Sequence, residues 1–170
     1  MPGGKMDLES AGFHDVRLER LYAYWLKKKG DLVAPMRRDL DPAEIKPFLP
    51  ILNLLDVRRE PLGFQHRLVG TEIVDRVGRD ATGQWVDEGL YGDGASRIFD
   101  GLRLIVDEVR PFRRLSRLDW HTRNWLGMEA VEMPLIDETG AVIKILRGAS
   151  YFVAAEAAAD MRCAVFPLAA

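Results

Sequence analysis

The stretch Leu126–Val153, LGMEAVEMPLIDETGAVIKILRGASYFV, decides how this chain folds. Asp137-Glu138-Thr139-Gly140 is a cluster of turn formers between two apolar runs. Leu126–Ile136 is the first run. Ala141–Val153 is the second and carries Val142, Ile143, Ile145, Leu146, Tyr151, Phe152 and Val153, the β-branched and aromatic types that suit a pleated surface. The spacing predicts two strands joined by a turn. Just upstream, Phe112–Trp120 predicts a third, so the last part of the chain is β up to an Ala-rich segment, Ala154–Asp160, that fits a short helix.

Working back, Ala95–Val109 places Ile98, Phe99, Leu102, Ile105, Val106 and Val109 at helical spacing, and Pro111 follows its end. Thr71 is placed to cap a short helix whose apolar face is Ile73, Val74 and Val77. Ile51–Arg59 and Phe64–Val69 predict a hairpin around Glu60-Pro61-Leu62-Gly63, with Phe64, His66 and Leu68 on one face. Asp41-Pro42-Ala43-Glu44 is a helix start of capping-box type, soon ended by Pro47 and Pro50. Near the N-terminus, Asp15–Lys29 predicts an amphipathic helix with the stripe Leu18, Leu21, Tyr22, Trp25 and Leu26, three lysines in its last turn, and Gly30 as a stop. The fold class is therefore α+β: a five-stranded antiparallel sheet with helices on one face, preceded by that amphipathic helix. The division expected is 1–40 for the first helix and an extended linker, 41–153 for the core, and 154–170 for a tail whose apolar end, CAVFPLAA, either docks on the body or lies loose.

Composition narrows the function classes. The 170 residues hold 24 Lys+Arg against 26 Asp+Glu, a formal charge of −2, with 48% hydrophobic and 29% charged residues. That is an ordinary balance for one folded domain and argues against disorder and against a protein that coats nucleic acid. No apolar run approaches the ~20 residues of a membrane span. The start, MPGGKMDLES, lacks the apolar segment of a secretory signal. The single cysteine, Cys163, has no internal partner, which fits a reducing, cytoplasmic setting.

Several stretches carry a family resemblance: LYAYW at Leu21–Trp25, PMRRDLDP at Pro35–Pro42, Phe48-Leu49-Pro50, FQHRLVGT at Phe64–Thr71, GRDATG at Gly78–Gly83 and MPLIDETG from Met133. In this order they resemble the small stand-alone bacterial PAS proteins common in alphaproteobacteria. The resemblance implies a PAS-like sheet with a hollow between sheet and helices, and a sensory role exercised through partner contacts. It supplies no named ligand. Under it the hollow's expected lining is His66, Ile73, Val77, Trp85, Phe99 and Leu102. The helix before the core often dimerises in such proteins, so the stripe Leu18, Leu21, Tyr22, Trp25 and Leu26 is the expected homodimer or partner surface, covered either by the back of the sheet or by another chain.

Tests for chemistry give little. GRDATG is followed by Gln84-Trp85 rather than the Lys-Ser/Thr of a phosphate loop. His14, His66 and His121 with Cys163 do not assemble into a metal site. There is no Cys-x-x-Cys-His for haem, no histidine in Ala95–Val109 to serve as an axial ligand, and no reactive cysteine in the helical region for covalent flavin, so haem and covalent flavin are not expected. No Gly-x-Ser-x-Gly elbow exists. The densest basic run is Arg110, Arg113, Arg114, Arg117 and Arg123; Arg113 and Arg117 share a strand face, read as solvated or as a contact for an anion or an acidic partner.

Three functions follow in order. The first is a non-catalytic sensor that binds a small molecule, a protein partner or both, and signals through a dimer. The second is an adaptor that contacts another protein through the sheet or Arg113 and Arg117. The third is a small enzyme of cone-like α+β fold, for which His66, Asp119 and His121 are the available acid–base groups.

Overall fold

A computed structural model describes residues 12–118, 121–123, 125–153 and 164–170. Helix α1 (Val16–Lys29) starts at Asp15, whose carboxylate accepts the Arg17 backbone N–H, and stops at Gly30, where φ is 53°. The one-turn helix α2 (Pro42–Ile45) is capped by Asp41 and runs into a 3-10 segment, Lys46–Ile51. Strands β1 (Leu52–Arg59) and β2 (Leu62–Val69) form the expected hairpin. Helix α3 (Thr71–Val77) follows. Its cap is Gly70 rather than Thr71, and glycine is needed there because a side chain at 70 would lie 2.3 Å from the carbonyl oxygens of Leu49 and Pro50. Then come α4 (Glu88–Tyr91), α5 (Ala95–Glu108), β3 (Phe112–Arg117), β4 (Leu126–Ile136), β5 (Val142–Val153) and β6 (Ala164–Pro167). The expected helix at 154–160, and with it Asp119, Trp120 and Cys163, lies outside the described residues.

The sheet is antiparallel and has six strands in the order β2-β1-β5-β4-β3-β6. Two features depart from the five-stranded, one-sided expectation. The apolar tail supplies the sixth strand, which pairs β6 with β3 from Phe112↔Pro167 to Leu115↔Ala164. And the sheet is covered on both faces at its centre. Alternation along β5 separates the two sides. Gly148 meets Leu18 and Leu21 of α1, with 2.7–2.9 Å between their methyl groups and the place a Cβ would take. The flanking Arg147 faces the other way, toward α3 and α5. All eleven residues of β4 are buried as a result. A strand buried on both faces shows no polar alternation, which is why β4 looks like a continuous apolar run.

The stripe on α1 is thus spent within the chain. Leu18, Leu21 and Trp25 are fully buried, Tyr22 nearly so, and Leu26 is half-buried against the same core. The Trp25 indole N–H donates to the Pro134 carbonyl at 2.9 Å. This corrects the expectation of a dimer or partner surface on that stripe: the back of the sheet covers it and leaves little of it for another chain.

Two carboxylates interrupt the apolar run of β4, and each faces a different side. Glu129 points toward α1 and accepts from Arg113 Nη2 at 2.6 Å and from Nε at 3.0 Å. Glu132 points toward the other helices and accepts from Arg114 Nε. Both pairs run diagonally across the β3–β4 register, within reach of long side chains. Arg113 is therefore neither solvated nor open to a partner, because its guanidinium lies in this ion pair and over the rings of Phe13 and Phe166.

Candidate functional site

The helix side of the sheet does not close completely. Ile73, Val77, Leu118, Leu126, Met128, Ala130 and Ala149 form one apolar cluster, and the rest of the core forms another. Between them lies a cavity of about 90 Å³. At roughly 10–15 Å³ per water position, that is room for several waters or a small organic molecule. Exposed Arg97 lines it, so the cavity reaches the surface.

Strand register explains its floor. Asn53 on β1 is paired with Arg147 on β5, and Arg147 with Glu132 on β4, so three polar side chains stand in one row on one face. Two residues along each strand, Ala149 and Ala130 leave space, and Tyr151 with Met128 marks the next row. A register shift between Leu54 and Leu55 brings His66 opposite Leu55, next to Asn53. The helices and the loop between them supply Ile73, Val77, Arg79, Ala81, Val86, Tyr91, Ile98 and Leu102 as the other walls. Gly101 on α5 belongs to this design, since a side chain there would fall 2.4 Å from the Arg114 guanidinium.

Three of these polar groups form a chain. His66 Nδ1 lies 3.0 Å from Asn53 Oδ1, and His66 Nε2 lies 2.8 Å from the Tyr91 hydroxyl. The amide oxygen only accepts, so Nδ1–H donates to it and Tyr91 O–H donates to Nε2. All three residues are buried. Burial, reinforced by the Arg147 and Arg79 guanidinium groups, pushes His66 from 6.5 down to about 4. Burial likewise pushes the Tyr91 hydroxyl up to about 12. Both groups are neutral near pH 7.

A pH dependence of stability follows. The unfolded chain takes up a proton on His66 near pH 6.5, and the folded chain refuses it until about pH 4. The contribution of neutral His66 is complete above pH 6.5, declines as the pH falls toward 4, and changes no further below that. Its whole size is about 3 kcal/mol. Urea titrations at pH 7.5 and 4.5 should show the wild type losing about 2–3 kcal/mol more than His66→Gln. Equal losses would mean that His66 charges as easily in the folded state as out of it.

Of the residues expected at the hollow, the structure places His66, Ile73, Val77 and Leu102 on the cavity wall. Trp85 and Phe99 are elsewhere. The Trp85 ring lies beneath the Arg58 guanidinium at 4.4 Å, and Phe99 packs edge-on against Phe64 at 5.1 Å. Arg117 lines the cavity together with Arg114, while Arg113 is on the opposite side of the sheet. His121 accepts the Arg123 backbone N–H through Nδ1 at 2.9 Å and is not on the cavity wall. Sequence reasoning missed Asn53, Tyr91, Arg147 and Glu132. For Asn53, Glu132 and Arg147 the signal was there as polar residues set into apolar strand segments, ILNLL, MEAVEMPLI and VIKILRG.

Among the described residues no three His, Cys, Asp or Glu side chains are grouped to hold a metal, and no helix is long and apolar enough to cross a membrane. Compared with protein families, the chain matches the model described as PAS domain over residues 14–149. No curated protein and no solved structure matches it.

Proposed function

Because the chain belongs to the PAS domain family, whose members are sensory and signalling modules, we propose that it holds a small molecule in the cavity between the sheet and helices α3 and α5 and reports occupancy through its surface. The observation that carries this reading is the cavity itself. It lies between the two apolar clusters and is walled by apolar side chains together with convergent polar and charged groups, a make-up that suits a ligand better than a packed core. Filling that space with apolar side chains would make a more stable protein, so an open, partly polar cavity suits binding better than stability.

The chemistry of the wall supports a non-catalytic role. A general acid or base works best with a pKa near the working pH. His66, at about 4, and Tyr91, at about 12, are both tuned away from it. The hydrogen-bond partners of His66 are an amide and a phenol, with no carboxylate to build a catalytic pair. A homodimer, where one forms, needs a surface other than the α1 stripe.

The test is extraction of the natively purified protein under denaturing conditions, followed by mass spectrometry. One small molecule should be recovered at near-equal amounts with the protein. Leu102→Trp, which pushes a ring into the cavity from α5, should lose it while remaining folded. Recovery of the same molecule at full occupancy from Leu102→Trp would place it elsewhere. If nothing co-purifies and no fraction of host extract raises the melting temperature, only a partner-binding module without ligand survives.

A further inference from the structure

Among the described residues, Arg79, Arg97, Arg114, Arg117 and Arg147 line the cavity together with one carboxylate, Glu132. Glu132 is committed to Arg114. Arg147 stands beside Glu132 in the strand register, yet no carboxylate of the described residues pairs with it. Among the described residues its Nε is buried without a hydrogen-bond partner, and its Nη2 donates to the Met128 sulfur, a weak acceptor, at 2.9 Å. On its other side is Asn53, whose amide oxygen is engaged by His66. A guanidinium held on a central strand with a buried, unmatched N–H is costly, and it is the donor that fits a carboxylate or phosphate fork.

Resting on the ligand-binding reading above, we propose that the cavity takes a small organic anion whose carboxylate or phosphoryl oxygens are held by the Arg147 guanidinium, with its apolar body against Ile73, Val77, Leu102 and Met128. The neutral Asn53–His66–Tyr91 chain closes the far side. It adds no negative charge that would oppose such a ligand.

Succinate and inorganic phosphate serve as probes for the two oxyanion types, and succinamide as the uncharged counterpart. Binding is followed by two-dimensional NMR of the full chain, including the Arg147 Nε–H signal. Succinate or phosphate should shift cavity resonances and Nε–H, and succinamide should not; whichever anion binds tells a carboxylate from a phosphoryl ligand. Arg147→Met should weaken the binding anion about tenfold or more, the range for a lost hydrogen bond to a charged group. The ligand-free melting temperature of Arg147→Met should be equal to or above that of wild type, because methionine fills similar space without a half-buried charge and its unmatched N–H. A purely structural arginine would lower it instead. Arg147→Lys, which keeps the charge but not the fork, should retain part of the affinity. Equal binding of succinamide, or full anion affinity in Arg147→Met, overturns the anion assignment and leaves a pocket for neutral molecules. No response to any probe, with a neutral molecule recovered from native protein, overturns the anion assignment alone. No response and no recovered molecule overturns both.

Discussion

Trp25→Ala is expected to remove about 3–5 kcal/mol of folding stability, the range for deleting a fully buried large aromatic. Trp25 is 0% exposed, between α1 and the sheet. Its removal opens a void there and leaves the Pro134 carbonyl, now bonded to the indole at 2.9 Å, without its donor. Trp25→Phe keeps most of the packing and should fall between the two. Urea unfolding is the measurement, with an unchanged slope showing that the loss is one of stability and not of compactness. A cost below about 1 kcal/mol for Trp25→Ala would mean that α1 contributes little to the core. The helix could then leave the sheet, and its stripe would again be available to a second chain.

Glu129→Leu should be comparably damaging, at about 3–5 kcal/mol, by a different mechanism. The carboxylate is 1% exposed and holds three groups at once. It accepts two bonds from Arg113, and it accepts the backbone N–H groups of His14 and Asp15 at 2.9–3.1 Å. The sheet thereby pins the start of α1. A leucine there would strand Arg113 as a buried charge and leave both backbone donors unmet. The double variant Arg113→Met with Glu129→Leu should recover much of the loss, since the stranded charge goes with it. If the double variant is no more stable than Glu129→Leu alone, the burden lies with the backbone N–H groups and not with the arginine.

Much of the frame was legible in the sequence, because its signals are local. The period of Leu18, Leu21, Tyr22 and Trp25, the Asp41-Pro42 start, the Asp137–Gly140 turn and the apolar runs around it depend on residues a few positions apart. These fixed the type of each long element and its bounds to within a few positions. The same locality explains the errors. Val165 and Phe166 give no sign that they will become an edge strand on β3. Arg113 and Arg114 look like one exposed basic run until Glu129 and Glu132, some sixteen residues later, claim one each from opposite faces. Trp85 lies in a loop that borders the hollow, but the Arg58 guanidinium covers it on the outside.

That this chain folds as an antiparallel sheet with amphipathic helices is written in neighbouring residues, through hydrophobic period and turn chemistry. What the polar residues do emerges from the folded arrangement alone. Asn53, His66, Tyr91 and Arg147 come from three strands and a short helix, and they meet through strand register and a register shift no local pattern encodes. Whether a charge in a strand faces water, a counter-charge or a cavity depends on what packs across from it, and that is settled when distant segments close over the sheet.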